Sequence, residues 1–370
     1  MDGRQEKNLE FYNLDKLLKY DCHYNLIIGE RSNGKTYACL KKSLEIYKES
    51  GKQSAYLRRW KEDFRGKRGE TLFDALLYNE EVIRIFEGEW TGIKYYSGKW
   101  YLTKYDKVLD KYIQDVKPFM YGFSLSDMEH DKSTSYPEIV LIIFDEFLTR
   151  GMYLNNEFVL FCNVLSTIIR HRDDVKIVML GNTVNKYCPY FREMGLKRVG
   201  DMEEGKVDIY KYGNSGLRVA VERCGGSKKN GKPSDVYFTF DNPSLDMITN
   251  GAWEIDLYPH CPTEVGKNDI VYRFWMVFED ELLQGEIVEK DGSVFLFIHE
   301  KTTELKEEPG DLIFTEEYRM EPNYCRNLLK DSRPLVRKIK KMFDINKVFY
   351  QDNEVGEVVR NYLKWCMLRE

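Results

Sequence analysis

The sequence predicts an α/β protein built on a mostly parallel sheet, and three observations support this fold class. Up to about residue 220, short runs rich in Ile, Val and Leu alternate with helical stretches, as buried strands alternate with helices in such sheets. A glycine-containing loop follows the first run and opens a helical stretch. A later run ends in two carboxylates. The predicted strands are Asn25–Ile28, Ser54–Arg58, Ile139–Phe144 and Lys176–Gly181.

The loop after the first strand fits the phosphate-binding pattern G-x-x-x-x-G-K-[ST] at every fixed position. Its residues are Gly29, Glu30, Arg31, Ser32, Asn33, Gly34, Lys35 and Thr36. In such a loop, backbone N–H groups and the N-terminus of the following helix hold the α- and β-phosphates. We expect Lys35 to reach the β- and γ-phosphates and the Thr36 hydroxyl to bind Mg²⁺. ATP and Mg²⁺ are therefore the predicted cofactors.

The strand Ile139–Phe144 leads into Asp145 and Glu146, the pair of acids that ATP hydrolysis requires. We expect Asp145 to hold Mg²⁺ through water, and Glu146 to orient and polarise the attacking water. Many strands end in acids at the protein surface, so the pair alone is a weak signal. Together with the phosphate-binding loop that precedes it in the sequence, the pair indicates ATP hydrolysis. The water-activating Glu146 also argues against a small-molecule kinase.

Two further positions are candidates for contact with the nucleotide. Asn182 follows the strand Lys176–Gly181 and could sense the γ-phosphate or the lytic water, or could simply close a turn. Arg170 ends a helix before that strand, where its guanidinium could reach a nucleotide held by a neighbouring subunit. The alternative for Arg170 is a solvated helix end.

Three cations, Arg58, Arg59 and Lys61, end or follow the second predicted strand. Beside a phosphate site they could contact the nucleotide, a neighbouring subunit or DNA. A solvated strand end is the alternative interpretation.

The composition restricts the class of protein further. The chain has 370 residues and a net charge of −5, which excludes a globally basic nucleic-acid binder. Nucleic acid would have to contact a local patch or several copies acting together. The eight cysteines form no CxxC pair and the five histidines are dispersed, so we expect no zinc site. No apolar signal core or membrane-spanning run is evident, which predicts an intracellular protein.

The remainder of the chain is read more coarsely. The Tyr- and Trp-rich residues 88–109 predict an inserted hairpin, and the glycine- and lysine-rich stretch near residue 225 predicts a domain boundary. Strand-like segments then occupy Ile270–Glu279, Gly285–Glu289 and Ser293–His299, and helical segments occupy Arg333–Phe343 and Glu354–Leu368. The predicted organisation is a domain at residues 1–224, a linker at 225–262 and a second domain at 263–370.

Seven short runs within residues 8–195 together resemble the genome-packaging ATPases of small tailed phages of the phi29 type. The runs are Phe11-Tyr12-Asn13, Gly29–Thr36, Tyr56–Lys61, Ser135-Tyr136-Pro137, Phe144–Phe147, Arg170-His171-Arg172, and Asn182 with Asn185 and Pro189–Phe191. The resemblance implies an additional-strand (ASCE) ATPase in a homopentameric ring. This ring docks on the portal of an empty procapsid in the host cytoplasm and drives double-stranded DNA inward. Arg170 is implied as a finger acting in trans, and Arg58, Arg59 and Lys61 as interface contributors.

The resemblance also implies a linker and an RNase H-like C-terminal domain. A two-metal nuclease needs carboxylates from several elements, yet Ile270–Val277 contains no acid and Asp352 alone is not a site. We therefore expect a nuclease-inactive domain that binds DNA or RNA, and a structural packaging RNA is a candidate partner.

A ring needs only a few cations per subunit to bind double-stranded DNA, because the charges of all its subunits act together. The candidates are Lys132, Arg150 and the basic C-terminal helix with Arg337, Lys338, Lys340 and Lys341. Contacts of this kind would reach phosphates and be sensitive to salt. Two alternatives to a packaging motor remain open: another ASCE ATPase, such as a helicase-like or replication protein, and a nucleotide-dependent switch with negligible turnover.

Overall fold

The computed structural model describes residues 12–31, 33–127, 134–225, 253, 256–306, 308 and 310–368. The chain divides into two compact units, Met1–Glu254 and Ile255–Glu370. Most of the predicted linker, residues 225–262, lies outside the described residues. The predicted domain boundaries therefore stay predictions.

A ten-stranded sheet forms the first unit. Its strands are β1 (Tyr24–Gly29), β2 (Gln53–Arg58), β3 (Gly92–Tyr96), β4 (Lys99–Asp106), β5 (Lys111–Gln114), β6 (Met120–Ser124), β7 (Ile139–Asp145), β8 (Lys176–Asn182), β9 (Val207–Lys211) and β10 (Arg218–Cys224). Six of them run parallel in the order β6-β2-β7-β8-β1-β10. The predicted α/β class with a mostly parallel sheet is thus confirmed. All four predicted strands are present, each extended by one or two residues.

Strand β8 lies between β1 and β7 and pairs in parallel with both. One strand therefore separates the strand that precedes the phosphate loop from the strand that precedes the two acids, which is the additional-strand arrangement. Because parallel strands end at the same edge of a sheet, the loop and the acids meet there across β8.

The edges of this sheet are antiparallel. β9 pairs with β10 at one edge, while β4 pairs with β6 and carries β3 and β5 at the other. The inserted hairpin predicted at residues 88–109 is therefore real, as β3 and β4, and it continues into β5. Strands β9 and β10 were not predicted, because charged residues such as Arg218, Glu222 and Arg223 interrupt their apolar pattern.

Helices cover both faces of the sheet. The helices of the first unit are α1 (Leu14–Leu18), α2 (Lys35–Ser50), α3 (Lys67–Glu70), α4 (Asp74–Tyr78), α5 (Glu81–Ile85), α6 (Glu157–Ile169) and α7 (Pro189–Glu193). α2 packs with α1, α4 and α5 around the buried Trp100 and Leu40 on one face. α6 and α7 pack around Phe161 and Tyr190 on the other. This double covering explains why the central strands are apolar on both sides.

The second unit contains a six-stranded sheet in the order β15-β14-β11-β12-β13-β16. Its elements are β11 (Ile270–Phe278), β12 (Glu281–Lys290), β13 (Ser293–Glu300), β14 (Ile313–Thr315), β15 (Tyr324–Cys325), α8 (Pro334–Asp344), β16 (Val348–Tyr350) and α9 (Asn353–Leu368). β11, β12 and β13 form an antiparallel meander, and β14 and β15 lie parallel beside β11. This arrangement agrees with the RNase H-like class expected for the region.

The turn between β12 and β13 uses left-handed backbone at Asp291 and Gly292, as a tight hairpin requires. The buried side of α9 packs Tyr362 against Phe278 and Phe314 of the sheet. No helix in the described parts of either unit is both long enough and apolar enough to cross a bilayer.

Candidate nucleotide-hydrolysis site

The phosphate-binding loop connects β1 to α2, as its motif requires. Gly34 caps α2 with a left-handed φ of 88°, a conformation that side chains rarely adopt. A Cβ on Gly29 would lie 2.3 Å from the carbonyl oxygen of Cys224 on β10, so only glycine fits there. Asn33 braces the loop, because its side chain accepts from the Lys35 N–H and donates to Cys224 Sγ. Ser32 lies outside the described residues.

Lys35 is buried at the first turn of α2, with 6% of its surface exposed. Its ammonium donates to the carbonyl oxygens of Gly29 at 3.3 Å and Glu30 at 2.6 Å, and to Asn182 Oδ1 at 3.3 Å. Burial lowers the pKa of Lys35 below its ordinary value, because the ammonium loses hydration. The cation is thus held within the loop, and Asn182 is brought to it from the end of β8.

The two predicted acids point in different directions. Asp145 is buried, and its Oδ2 accepts from the Thr36 hydroxyl at 3.0 Å. Glu146 takes a left-handed φ of 57°, and 59% of its side chain is exposed. The chain turns at Glu146. The Asp145 carboxylate therefore faces the N-terminus of α2, whereas the Glu146 side chain projects away from the end of β7.

Thr36 and Asp145 fit a site for Mg²⁺. A hydroxyl and a carboxylate are hard oxygen ligands, which Mg²⁺ prefers, and here they lie within hydrogen-bond distance of each other. They come from α2 and β7, two elements that the sheet and its packing hold rigidly. The expected metal residues are therefore brought together.

A cavity of about 300 Å³ opens beside these groups. Its lining combines loop, helix and strand-end residues, namely Asn33, Gly34, Lys35, Thr36, Tyr37, Asp145, Glu146, Leu180, Gly181 and Asn182. Residues from the loop, from the end of β7 and from the end of β8 thus converge on one space. Apart from Tyr37, the polar side chains at its wall are ones that the sequence predicts for the site.

Arg58 ends β2 and bridges the acids of this site. Its Nη2 lies 2.6 Å from Glu146 Oε2, its Nη1 lies 3.8 Å from Asp145 Oδ2, and its Nε donates to Asp63 Oδ2 at 3.3 Å. Burial opposes the charge of Arg58, but the carboxylates of Glu146, Asp145 and Asp63 outweigh it and raise the pKa. Within the chain Arg58 is ion-paired with Asp145 and Glu146, and its predicted place at a subunit interface stays a prediction.

Arg59 and Lys61 differ in their surroundings. Arg59 is buried and pairs with Glu157 at 2.8 Å, so its described partners are internal. Lys61 is exposed and pairs with Asp127 at 2.5 Å. A contact of either residue with a neighbouring subunit stays a prediction.

Arg170 lies far from the cavity of its own chain. It follows α6, and its guanidinium donates to the Thr134 carbonyl, just before the start of β7. Asp145 is at the other end of β7, and a strand of seven residues spans roughly 20 Å. The side chain is exposed. Arg170 therefore cannot reach the cavity of its own chain, and its role as a finger for a neighbouring copy stays a prediction beside the alternative of a solvated helix end.

The two candidate DNA contacts are only partly described. Arg150 follows the acids and donates to the carbonyl of Val184 at 3.1 Å. Lys132 lies outside the described residues. A DNA contact of either residue therefore stays a prediction.

Tyr56 is a site residue that the sequence reasoning overlooked. Its hydroxyl donates to Asp145 Oδ2 at 2.7 Å, and the side chain is only 4% exposed. Burial, followed by the charge of Asp145, raises the pKa of Tyr56 well above its ordinary value. A tyrosine inside a strand buried on both faces needs a partner for its hydroxyl, and that was the available signal.

Comparisons with known proteins agree with this geometry. A family model described as Podovirus DNA encapsidation protein (Gp16) matches residues 5–211. The DNA packaging proteins of Bacillus phages PZA and phi29 are 29% identical over 184 residues, which is 49% of this chain and 49% of theirs. That of Bacillus phage B103 is 29% identical over 199 residues, 53% of this chain and 54% of its own. The chain thus matches about half the length of these curated relatives.

Two solved structures share the fold along nearly the whole chain. The bacteriophage Phi-29 viral genome packaging motor assembly aligns with a TM-score of 0.55 at 20% identity, covering 97% of this chain and 99% of the other. The Phi-28 gp11 DNA packaging motor aligns with a TM-score of 0.52 at 19% identity, covering 98% and 99%. The family match includes the phosphate loop, the acids after β7 and the strands that carry them. The chain belongs to the Podovirus DNA encapsidation protein (Gp16) family.

Proposed function

We propose that this chain is the ATPase of a motor that drives double-stranded viral DNA into a preformed procapsid. The observation that carries the proposal is the convergence of Lys35, Thr36, Asp145 and Glu146 at one edge of an additional-strand sheet. Family membership adds the task of DNA encapsidation. The relatives and solved neighbours are themselves named for DNA packaging.

Each residue of the site has a separate task in this chemistry. Loop N–H groups and Lys35 bind the phosphates, and Thr36 and Asp145 hold Mg²⁺, which when bound neutralises phosphate charge. Glu146, exposed toward the cavity, polarises water. Asn182 lies at the end of β8 and accepts a hydrogen bond from Lys35. From this position it would sense the γ-phosphate.

Hydrolysis in this proposal is completed by a neighbour. Arg170 is exposed at the far edge of the sheet, so it suits a finger that enters the site of an adjacent copy. A guanidinium in that role stabilises charge on the transferring phosphoryl group and raises turnover by roughly 10³–10⁵-fold. A homomeric ring, which the resemblance to the phi29 type suggests is a pentamer, places each site next to the Arg170 of an adjacent copy. Arg58, Arg59 and Lys61 remain candidate contributors to the interfaces of this ring.

The partners follow from the proposed task. The ring would dock on the procapsid portal in the host cytoplasm, with a structural packaging RNA as a further candidate partner. Lys132, Arg150 and the basic helix α8 would contact DNA phosphates, with strong dependence on salt.

For the second domain we propose an RNase H-like unit, at residues 263–370 after a linker at 225–262, that binds nucleic acid without cutting it. The lack of any acid in β11 supports this. Mg²⁺- or Mn²⁺-dependent cutting of plasmid DNA by the purified chain would refute it.

The deciding experiment is nuclease protection with purified procapsids that carry the matching portal. Wild-type protein with ATP should shield DNA from added nuclease, and Lys35→Ala should not. Duplex separation without procapsids, in place of protection, would favour the alternative of another ASCE ATPase acting on nucleic acid. Absence of ATP turnover under every condition would leave the third class, a nucleotide-dependent switch.

A further inference from the structure

A buried ion pair lies directly behind the proposed catalytic glutamate. Arg59 Nε donates to Glu157 Oε2 at 2.8 Å, and the two side chains are only 7% and 0% exposed. The other oxygen of Glu157 accepts from Tyr190 at 2.8 Å, and Oε2 also accepts from the Leu154 N–H at 2.7 Å. The guanidinium packs over the ring of Tyr153. Both charges are thus desolvated and fully engaged.

The remaining donors of Arg59 point at the backbone of the site. Nη1 donates to the carbonyl of Glu146 at 3.1 Å, and Nη2 to that of Phe147 at 2.7 Å. Glu146 occupies a left-handed conformation that is unfavourable for a glutamate and persists only where the surroundings enforce it. Arg59 supplies two of the hydrogen bonds that enforce it.

We propose that Arg59 and Glu157 are positioning residues for the Glu146 carboxylate. The pair anchors the turn after β7 to the N-terminus of α6, so the direction of the Glu146 side chain depends on it. This inference rests on the proposed ATPase function. Its signature is a loss of turnover without a loss of nucleotide affinity, because neither residue lines the cavity.

The test uses a double variant, Arg59→Met with Glu157→Met, in the full chain. Removing both charges avoids a lone buried ion, and replacement of a buried ion pair by apolar residues of similar volume is often neutral for stability. Circular dichroism and thermal unfolding of the variant check that it is folded. We expect turnover to fall about 10–100-fold, since misplacement of a catalytic group by about 1 Å has that effect, while the dissociation constant of MgATP stays within twofold. The matched control is the double variant Arg333→Met with Asp331→Met in the second unit. Like Arg59, Arg333 is paired with an acid and also donates to two backbone carbonyls.

A double-mutant cycle with Glu146→Gln separates positioning from general damage. If Arg59 acts through Glu146, the Met pair should lower the residual turnover of Glu146→Gln by less than twofold. An equal loss in both backgrounds, or normal turnover of the Met pair, overturns the inference. Wild-type protein that is inactive even in assembled rings would instead refute the proposed function.

A second, independent observation concerns the inserted sheet of β3, β4, β5 and β6. Strand register places one set of side chains on a single face, here named the tyrosine face. Its members are Lys94, Tyr96, Lys99, Tyr101, Thr103, Tyr105, Tyr112, Gln114 and Tyr121. The opposite face carries the buried Trp100, Leu102 and Met120. On the tyrosine face, Tyr121 packs against the core, whereas Tyr96 and Tyr112 are exposed.

The tyrosine face combines exposed rings with positive charge. Tyr96 and Tyr112 are 67% and 76% exposed, and the Lys99 ammonium lies over the Tyr121 ring. None of its nine side chains is acidic. A carboxylate does lie beside the face, because the Tyr105 hydroxyl donates to Asp110 in the turn between β4 and β5. Aromatic rings that offer their faces for stacking beside cations are a surface that unpaired nucleic acid can bind. We infer that an unpaired stretch of nucleic acid binds here.

The test measures binding of fluorescent oligonucleotides to the full chain by anisotropy. Single-stranded RNA and single-stranded DNA form two arms, and a duplex of the same length forms a third. Tyr96→Ala with Tyr112→Ala should weaken single-strand binding about tenfold or more and leave duplex binding within twofold. Lys99→Gln should reduce the slope of the logarithm of the binding constant against the logarithm of the salt concentration by about one. Tyr78→Ala, an 89% exposed tyrosine on α4, is the control.

Comparison of the RNA and DNA arms identifies the source of the strand. Equal single-strand binding by the wild type and the double tyrosine variant overturns the inference. So does a result in which neither single strand binds but the tyrosines are required for capture by purified procapsids, because the face would then be a protein-docking surface.

Discussion

Arg58 Nη2 and Glu146 Oε2 lie 2.6 Å apart, so the end of β2 is ion-paired with the residue that follows β7. The same guanidinium also faces Asp145 and Asp63. One guanidinium is therefore ion-paired with three carboxylates, at the edge of the sheet where we propose that ATP is hydrolysed.

Replacement of Arg58 by alanine leaves these carboxylates without their shared cation. We expect turnover to fall about 10–100-fold, because Glu146 loses the contact that orients it, and MgATP binding to persist. Asp63→Asn is the control, since it removes a partner of Arg58 that does not line the cavity. Phosphate-release kinetics would check this, and unchanged turnover of Arg58→Ala would contradict it.

Glu146→Gln keeps the shape of the side chain but removes its basicity. We expect a loss of turnover of about 10²–10⁴-fold, because proton transfer by a positioned side chain contributes that much. ATP should remain bound, since Lys35 and the loop are unchanged. Single-turnover hydrolysis and nucleotide retention on the purified protein are the measurements. Normal hydrolysis by this variant would show that the base is elsewhere.

Tyr56→Phe removes one donor from the buried carboxylate of Asp145. Groups that orient a metal ligand affect metal affinity by about 10–100-fold. The Mg²⁺ concentration for half-maximal turnover should therefore rise by about tenfold, with little change in the maximum. Tyr95→Phe is a matched control, because that hydroxyl donates to the Phe64 carbonyl. A Mg²⁺ titration that is identical for Tyr56→Phe and wild type would rule the role out.

Arg170→Ala should lose turnover by roughly 10³-fold in assembled rings while retaining ATP. Lys35→Ala should instead lose ATP affinity by about 10–100-fold, because charged hydrogen bonds to the phosphates disappear. When the two variants are mixed, a ring can contain an intact Lys35 site next to an intact Arg170. Partial recovery of turnover on mixing is therefore expected. If Arg170→Ala alone hydrolyses ATP at the wild-type rate in rings, the finger is another residue.

The second unit should show a pH dependence that originates at His299. The Glu286 carboxylate, whose Oε1 lies 3.9 Å from His299 Nε2, is the main cause that raises the pKa of His299. Burial raises the pKa of Glu286, but His299, Gln284 and Arg273 outweigh that effect and lower it. A histidine with a raised pKa contributes stability below its unfolded value of 6.5, and the contribution is lost as the pH rises through the folded value.

Between about pH 6 and pH 8, wild-type protein should therefore lose more thermal stability than His299→Gln. Thermal unfolding of both proteins across this range is the measurement. Arg273→Gln is the control, because it removes the other basic partner of Glu286 and leaves His299 in place. Parallel pH profiles for wild type and His299→Gln would contradict the assignment.

The local elements of the site could be predicted because each rests on a short-range pattern. The Gly29–Thr36 motif needs only its own strand, turn and helix, and the apolar run before Asp145 is continuous. Asn182 was predicted for the same reason. By contrast, Tyr56 and Glu157 were missed, because their importance comes from partners that are 89 and 98 residues away along the chain.

Local sequence patterns are enough to predict a phosphate loop and two acids after buried strands, since backbone turns and apolar periodicity are local properties. Those patterns do not reveal that β8 lies between the two strands, that Arg58 faces Glu146 while Arg59 is buried with Glu157, or that Arg170 lies at the opposite edge. Strand order and the direction of a long side chain depend on packing between distant segments. Adjacent residues such as Arg58 and Arg59 alternate across a strand, so their neighbours differ although their sequence context is shared.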